Sequence, residues 1–176
     1  MTKYWLISHS GAASHGVAYL RTELTGEAIP EFGDGPLRKW VPLEFDLRDG
    51  NATDYLNCNI SIHLVSPRLR EIFERHRGPL DELEFFDCGV YCNSSEPLAY
   101  YALYIPVVGD VLNPTESLMH EEGWPIKPVF NPLEVANRHV FSYRGAIFSL
   151  IVSNRMKIHL NGANIVGIDF ETVPVR

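Results

Sequence analysis

Leu64-Val65-Ser66-Pro67-Arg68-Leu69-Arg70 and Ile151-Val152-Ser153-Asn154-Arg155-Met156-Lys157 correspond position by position, with 87 residues from Ser66 to Ser153. In each copy an apolar pair leads into a serine, whose hydroxyl can accept from the free amides of a helix's first turn. In the first copy Pro67 supplies the preset φ favoured at the first helical position. From there Leu69, Ile72, Phe73 and His76 recur at helical spacing and form one apolar stripe, while Arg68, Arg70, Glu71 and Glu74 take the wet side. Gly78-Pro79 ends this helix. Upstream, Ile60, Ile62 and Leu64 alternate with Ser61 and His63 as a half-buried strand does. Downstream, residues 83–88 read as a further strand.

The correspondence extends outward from the helices. Leu83-Glu84-Phe85 finds a counterpart in Ile168-Asp169-Phe170, and Tyr4-Trp5-Leu6-Ile7 resembles Tyr100-Tyr101-Ala102-Leu103. The expected fold is α+β: two strand-helix-strand pseudo-repeats sharing a core, strand-rich with few short helices. Two copies at this period do not make a solenoid, which stacks at least three shorter units. The expectation is one domain over residues 1–176, with halves of about 1–92 and 98–176. At 176 residues and 19.9 kDa, folding buries roughly 70 % of the unfolded chain's surface, so neither metals nor disulfides are required for stability.

Charge and composition narrow the function. The chain has 15 basic and 22 acidic residues and a net charge of −7, so phosphate backbones repel it and direct nucleic-acid binding is not expected. No apolar run is long enough to span a membrane, and residues 1–10 lack the pattern of a signal peptide, which predicts a cytoplasmic protein. Between residues 78 and 126 there is no Lys or Arg. Asp81, Glu82, Glu84, Asp87, Glu96, Asp110, Glu116, Glu121 and Glu122 fall there and make that segment a negative field. Pro114, Gly123, Pro125 and Pro128 predict a long irregular loop over 106–132, and residues 25–37 form a second irregular stretch.

Several side-chain groupings invite chemical readings. Cys58, Cys88 and Cys92 are an odd number in a chain of adequate size, which fits a reducing compartment and core filling. The three cysteines with His63 could be read as a zinc site, with Cys88 and Cys92 at a tolerable C-x3-C spacing, but a structural zinc wants four soft ligands and buried free thiols are the ordinary alternative. A small cytosolic hydrolase using Cys58 or Cys88 with a histidine remains the enzymatic alternative. Ser8-His9-Ser10-Gly11 and Ser14-His15-Gly16 lack the strained G-x-S-x-G elbow. His120-Glu121 lacks the second histidine of an H-E-x-x-H site, and Gly33-Asp34-Gly35 reads as a turn, not a phosphate cradle. Neither metal nor cofactor is implied.

Tyr91, Tyr104, Trp124 and Tyr143 sit among turn-rich or acidic segments, and Trp and Tyr are frequent interface anchors. Trp124, between Glu121-Glu122 and Pro125, is the one expected to be exposed. Tyr100, Tyr101 and Phe148 are expected to pack in the core.

The second half, Tyr100 to Ile105, Asp110-Val111-Leu112-Asn113, the Val152-Ser153 helix start and Gly167-Ile168-Asp169-Phe170, resembles the immunity protein 11-type family. The resemblance spans residues 100–173, with 54–88 as a weaker copy, and leaves the first fifty residues unmatched. Within it, Ile158-His159 interrupts the second helix's apolar register and Asn161-Gly162 shortens it. The resemblance implies a bacterial, non-enzymatic protein that binds and neutralises a cognate toxin of contact-dependent or type VI secretion systems. The partner is then a toxin domain, with Asp110, Glu116, Glu121, Glu122, Trp124 and Tyr91 as its candidate contacts. The acidic segment suits a basic toxin acting on nucleic acid. A regulator acting through self-association is a further alternative.

Overall fold

The computed structural model describes residues 3–21, 35, 37, 40–106 and 108–176. The expected stretch 25–37, with its Gly33-Asp34-Gly35 turn, lies outside the described residues apart from Gly35 and Leu37. In chain order the elements are β1 (Tyr4–His9), β2 (Val17–Leu20), β3 (Leu43–Arg48), β4 (Tyr55–Cys58), β5 (His63–Val65), α1 (Pro67–His76), β6 (Glu84–Tyr91) and β7 (Leu98–Tyr104). Then follow β8 (Leu118–Met119), β9 (Pro125–Lys127), α2 (Pro132–Val135), β10 (Val140–Tyr143), β11 (Ala146–Ser153), α3 (Asn154–Gly162) and β12 (Ile168–Val173). Strands β2, β3, β6, β7, β5 and β4 close into a barrel, β10, β11, β1 and β12 form an open sheet in that order, and β8 pairs with β9.

Both paired segments do what their residues dictate. Ser66 and Ser153 adopt the same extended conformation (φ −70, ψ 162 and φ −71, ψ 162), and each hydroxyl accepts from the amide three residues on, Leu69 and Met156, at 3.2 Å. Leu69 and Phe73 of α1 and Met156 and Leu160 of α3 are the buried pair of each helix. Ile158 is indeed displaced to solvent and α3 has nine residues against ten. Its end, however, is made beyond Asn161-Gly162: Asn164 takes φ 51 while its amide bonds Asn161 and that of Ile165 bonds Leu160, the Schellman arrangement that satisfies the last carbonyls.

The repeat holds in strand register as well. In the barrel β7 lies between β5 and β6, placing Val65 opposite Tyr101 and Phe85 opposite Leu103. In the open sheet β1 lies between β11 and β12, placing Val152 opposite Trp5 and Phe170 opposite Ile7. These are the same pairs under the sequence correspondence, so each unit surrounds a middle strand supplied from the other side of the chain's midpoint. A cation repeats with them. Arg70 lies over Tyr101 and Phe85, and Lys157 lies over Trp5 and Phe170.

Alternation along the strands divides the core. Leu64 points into the barrel with Phe45 and Leu56, whereas Val65 joins Leu69, Phe73, Met156, Leu160, Ile7 and Val152 in a cluster drawn from both units. On the far face of the open sheet, Ile151 packs with Tyr4, Phe141 and Phe130. Residues 108–135 therefore cover that face through Val111, Phe130 and Val135. The loop expected there is more ordered than its prolines suggested, since it folds the β8–β9 hairpin and bridges Leu112 to Phe130.

Other expectations are corrected. The strand expected around Ile60 and Ile62 is confined to β5, because the backbone bends through residues 59–62, where the Ile62 amide donates to the Ile60 carbonyl at 2.9 Å and the Cys58 thiol sits on the Ile60 and Ile62 carbonyls at 3.2 and 3.6 Å. Phe148 is not core but 53 % exposed. Asp81, grouped with the surface acids, is buried and accepts from the amides of Gly78 (2.6 Å), His139 (2.9 Å) and Val140 (2.8 Å). It ties the turn after α1 to β10. Gly78 is required there because a Cβ would stand 2.3 Å from the Asn137 carbonyl oxygen. Asp54 makes a second tie, holding Ser66 (2.7 Å), Arg68 (2.6 Å) and the Val166 amide (2.9 Å).

Candidate partner-binding surface

The β8–β9 hairpin is built from a segment whose local chemistry forces a tight turn. Gly123 adopts φ 86 and donates its amide to His120 O at 2.9 Å, while His120 donates to Trp124 O at 2.8 Å. This closes the chain so that the His120 ring stacks on Trp124, with centroids 4.3 Å apart and planes within 14°. The Glu122 amide donates to His120 Nδ1 at 3.2 Å, which holds the ring at its edge. The hairpin is anchored at its base, where Ser117 Oγ exchanges hydrogen bonds with Val129 at 3.0 Å, and its tip rests on the turn at Gly145.

With both strands short and lying off the main sheets, the hairpin's apolar side chains find little to cover them. Leu118 is 56 % exposed, Trp124 44 % and Ile126 52 %, and Met119 adds to the same hairpin. Several large apolar side chains left exposed on one short hairpin make it a candidate interaction site. Glu121 and Glu122 occupy the exposed turn between His120 and Trp124.

The hairpin thus brings together Glu121, Glu122 and Trp124 of the expected contacts, with Glu116 just before it. Glu116 is ion-paired to Arg176 at 3.5 Å, a neighbour that sequence reasoning missed because the two are 60 residues apart. Asp110 is exposed, beside the Gly109 bridge to Tyr143. Tyr91 lies on a different sheet, at the end of β6, where it donates to Glu44 at 3.0 Å beneath the Arg21 guanidinium. Tyr104 and Tyr143 are buried and pack internally. Leu118, Met119 and Ile126 were not singled out in the sequence, although Leu118-Met119 and Ile126 flanking a Gly-containing turn are a hairpin signal.

The cysteines show no activation. Burial pushes the Cys88 thiol up to about 12 and raises Cys58 and Cys92 as well. Cys58 donates to two carbonyls, and a thiol held protonated is a poor nucleophile. His63, the candidate base or ligand, is engaged by the Tyr55 hydroxyl at 2.7 Å. Among the described residues, no three His, Cys, Asp or Glu side chains converge as metal ligands would, and no helix is long and apolar enough to cross a membrane.

A search of curated proteins returns no match. A family model described as an immunity protein family, Imm11, matches residues 4–175. The match therefore includes the N-terminal segment that the sequence resemblance left out, in keeping with the place of β1 as the middle strand of the C-terminal unit. Matched over nearly its whole length, the chain belongs to the Imm11 immunity protein family.

Proposed function

We propose that this protein neutralises a cognate secreted bacterial toxin by direct contact, in the cytoplasm of the cell it protects, and that the β8–β9 hairpin is the centre of the contact. The observation that carries this reading is the gathering of Leu118, Met119, Trp124 and Ile126, exposed, on one hairpin whose turn carries Glu121 and Glu122. A stacked, rigid tryptophan ringed by charge is the composition of an interface hot spot. The acidic turn steers a basic toxin and contributes chiefly to the association rate. Membership of an immunity family supports a toxin as the partner. The protonated, internally bonded thiols favour this reading over a cysteine hydrolase.

The test is calorimetric titration of the cognate toxin domain into wild type and into Trp124→Ala and Ile126→Asp. Truncating a central aromatic anchor costs about 2 kcal/mol or more, roughly 30-fold in Kd. Unchanged affinity in both variants refutes the hairpin as the contact. No binding by the wild type refutes neutralisation by direct contact.

A further inference from the structure

The barrel is closed, whereas the open sheet ends in two edges, β10 and β12. β10 is covered at both ends. Val140 donates to Asp81 Oδ2 at 2.8 Å, Arg144 donates to the Gly109 carbonyl at 3.1 Å, and its pairing with β11 slips between Phe141 and Tyr143. β12 has no such cover. It runs Ile168-Asp169-Phe170-Glu171-Thr172-Val173 without a proline, a lysine or a break in its register with β1, which are among the devices that blunt an edge.

The ladder decides which peptide groups this edge presents. Ser10 donates to the Gly167 carbonyl at 3.0 Å, one step beyond the His9–Ile168 pair. Asp169, Glu171 and Val173 therefore turn their amides and carbonyls toward β1, and Ile168, Phe170 and Thr172 turn theirs outward. Past Val173 the same parity is already in use. Phe130 donates to the Pro174 carbonyl at 2.9 Å and accepts from the Arg176 amide at 3.0 Å, as one residue of an added strand would. The chain then leaves the edge through Asn131 into α2. Among the described residues, nothing bonds the outward groups of Ile168, Phe170 and Thr172.

The side chains define the strand that fits. Asp169 and Glu171 stand on one face, exposed and in no ion pair among the described residues. On the other face Ile168 and Phe170 pack against the cluster shared by both units, with Lys157 over Phe170. A second copy is the wrong occupant. Antiparallel pairing centred on Asp169, Phe170 or Glu171 sets a carboxylate directly opposite a carboxylate, which is destabilising. Lys or Arg in those opposing positions replaces the repulsion with attraction, so the same two acids reject one strand and select another.

We propose that the toxin adds an extended strand to β12, with Lys or Arg opposite Asp169 and Glu171 and an apolar residue between them beside Phe170. Main-chain hydrogen bonds to Ile168, Phe170 and Thr172 hold this strand, and its alternate side chains supply the specificity. The inference rests on neutralisation by direct contact and extends that contact beyond the hairpin. The end of β12 is tied to the hairpin's base, since Phe130 bridges Val175, its neighbour Val129 bonds Ser117, and Arg176 reaches Glu116 at 3.5 Å.

The experiment is residue-resolved amide hydrogen exchange of the full chain, free and bound to the cognate toxin domain. In the free protein the Asp169 and Glu171 amides are expected to be protected and those of Ile168, Phe170 and Thr172 to exchange fast. On binding, these three are expected to slow, so that the alternation disappears. Thr172→Pro removes an outward donor that β1 does not use, and is expected to weaken binding about tenfold. Asp169→Lys combined with Glu171→Lys leaves the backbone untouched and is expected to weaken binding several-fold, most at low salt. A toxin that binds while the three amides exchange as before overturns the added strand and leaves the hairpin contact standing. A toxin that does not bind at all overturns both. Protection of the three amides in the free protein, with sedimentation as a dimer, overturns the proposal by making the occupant a second copy.

Discussion

Replacing Asp81 by Ala separates two readings of the same carboxylate. As one acid in a segment without a cation it would repel its neighbours, and its loss would be neutral or slightly stabilising. In the structure it is 6 % exposed, and its oxygens accept from Gly78 at 2.6 Å, His139 at 2.9 Å and Val140 at 2.8 Å. Alanine leaves those three amides without an acceptor. Each buried orphan costs about 1–3 kcal/mol, and with water reaching the half-exposed His139 the expected loss is about 3–5 kcal/mol. That is a large fraction of the stability of a domain this size. Asp81→Asn keeps one acceptor oxygen but turns an NH₂ toward the amides, so about 2 kcal/mol is expected from it. Urea unfolding measures both values, and hydrogen exchange at the Val140 amide reports whether the tie to β10 has opened. An Asp81→Ala protein that loses less than about 1 kcal/mol, with Val140 as protected as before, would refute the reasoning.

Two further outcomes follow from the geometry. Burial lowers His63 from 6.5 to about 4, so the unfolded chain takes up its proton first as the pH falls. The stability present above pH 6.5 is then lost progressively through the window from 6.5 down to about 4, a loss of about 2 kcal/mol by pH 5. His63→Phe, which keeps a ring but cannot titrate, should unfold with a shallower pH dependence over that window, and parallel curves would exclude His63 as the source. Lys157→Met removes the cation lying over Trp5 and Phe170 and should cost about 0.5–1 kcal/mol in chemical denaturation. Arg70→Met, at the equivalent position over Tyr101 and Phe85, should cost at least as much because it also forfeits the Glu74 pair at 3.1 Å. A zero effect for both removes the repeated cation from the account of the fold.

Of the proposed binding surface, the exposure of Trp124 and the acids around it was legible from Glu121-Glu122-Gly123-Trp124-Pro125, since a charged glycine turn has no means of burying its tryptophan locally. The exposure of Leu118, Met119 and Ile126 was not, because it depends on the main sheets passing elsewhere. Tyr104 and Tyr143 lie in sequence beside turns or acids yet are buried in the structure, and the Tyr91 hydroxyl is engaged by the distant Glu44 beneath Arg21.

The sequence by itself determined the two serine-capped helices, the apolar stripe of the first and the correspondence between the units. These depend on residues three or four positions apart, where backbone geometry leaves few choices. Only the tertiary structure decided that β1 pairs with β11 and β12, more than 140 positions away, that Asp81 is buried while Phe148 is exposed, and that the chain bends at 59–62 before β5. Alternation fixes which face a strand residue takes but not which strand lies beside it. Strand neighbours are chosen by the apolar surface that the whole set of strands and helices can bury together, a quantity defined only once the chain has closed on itself.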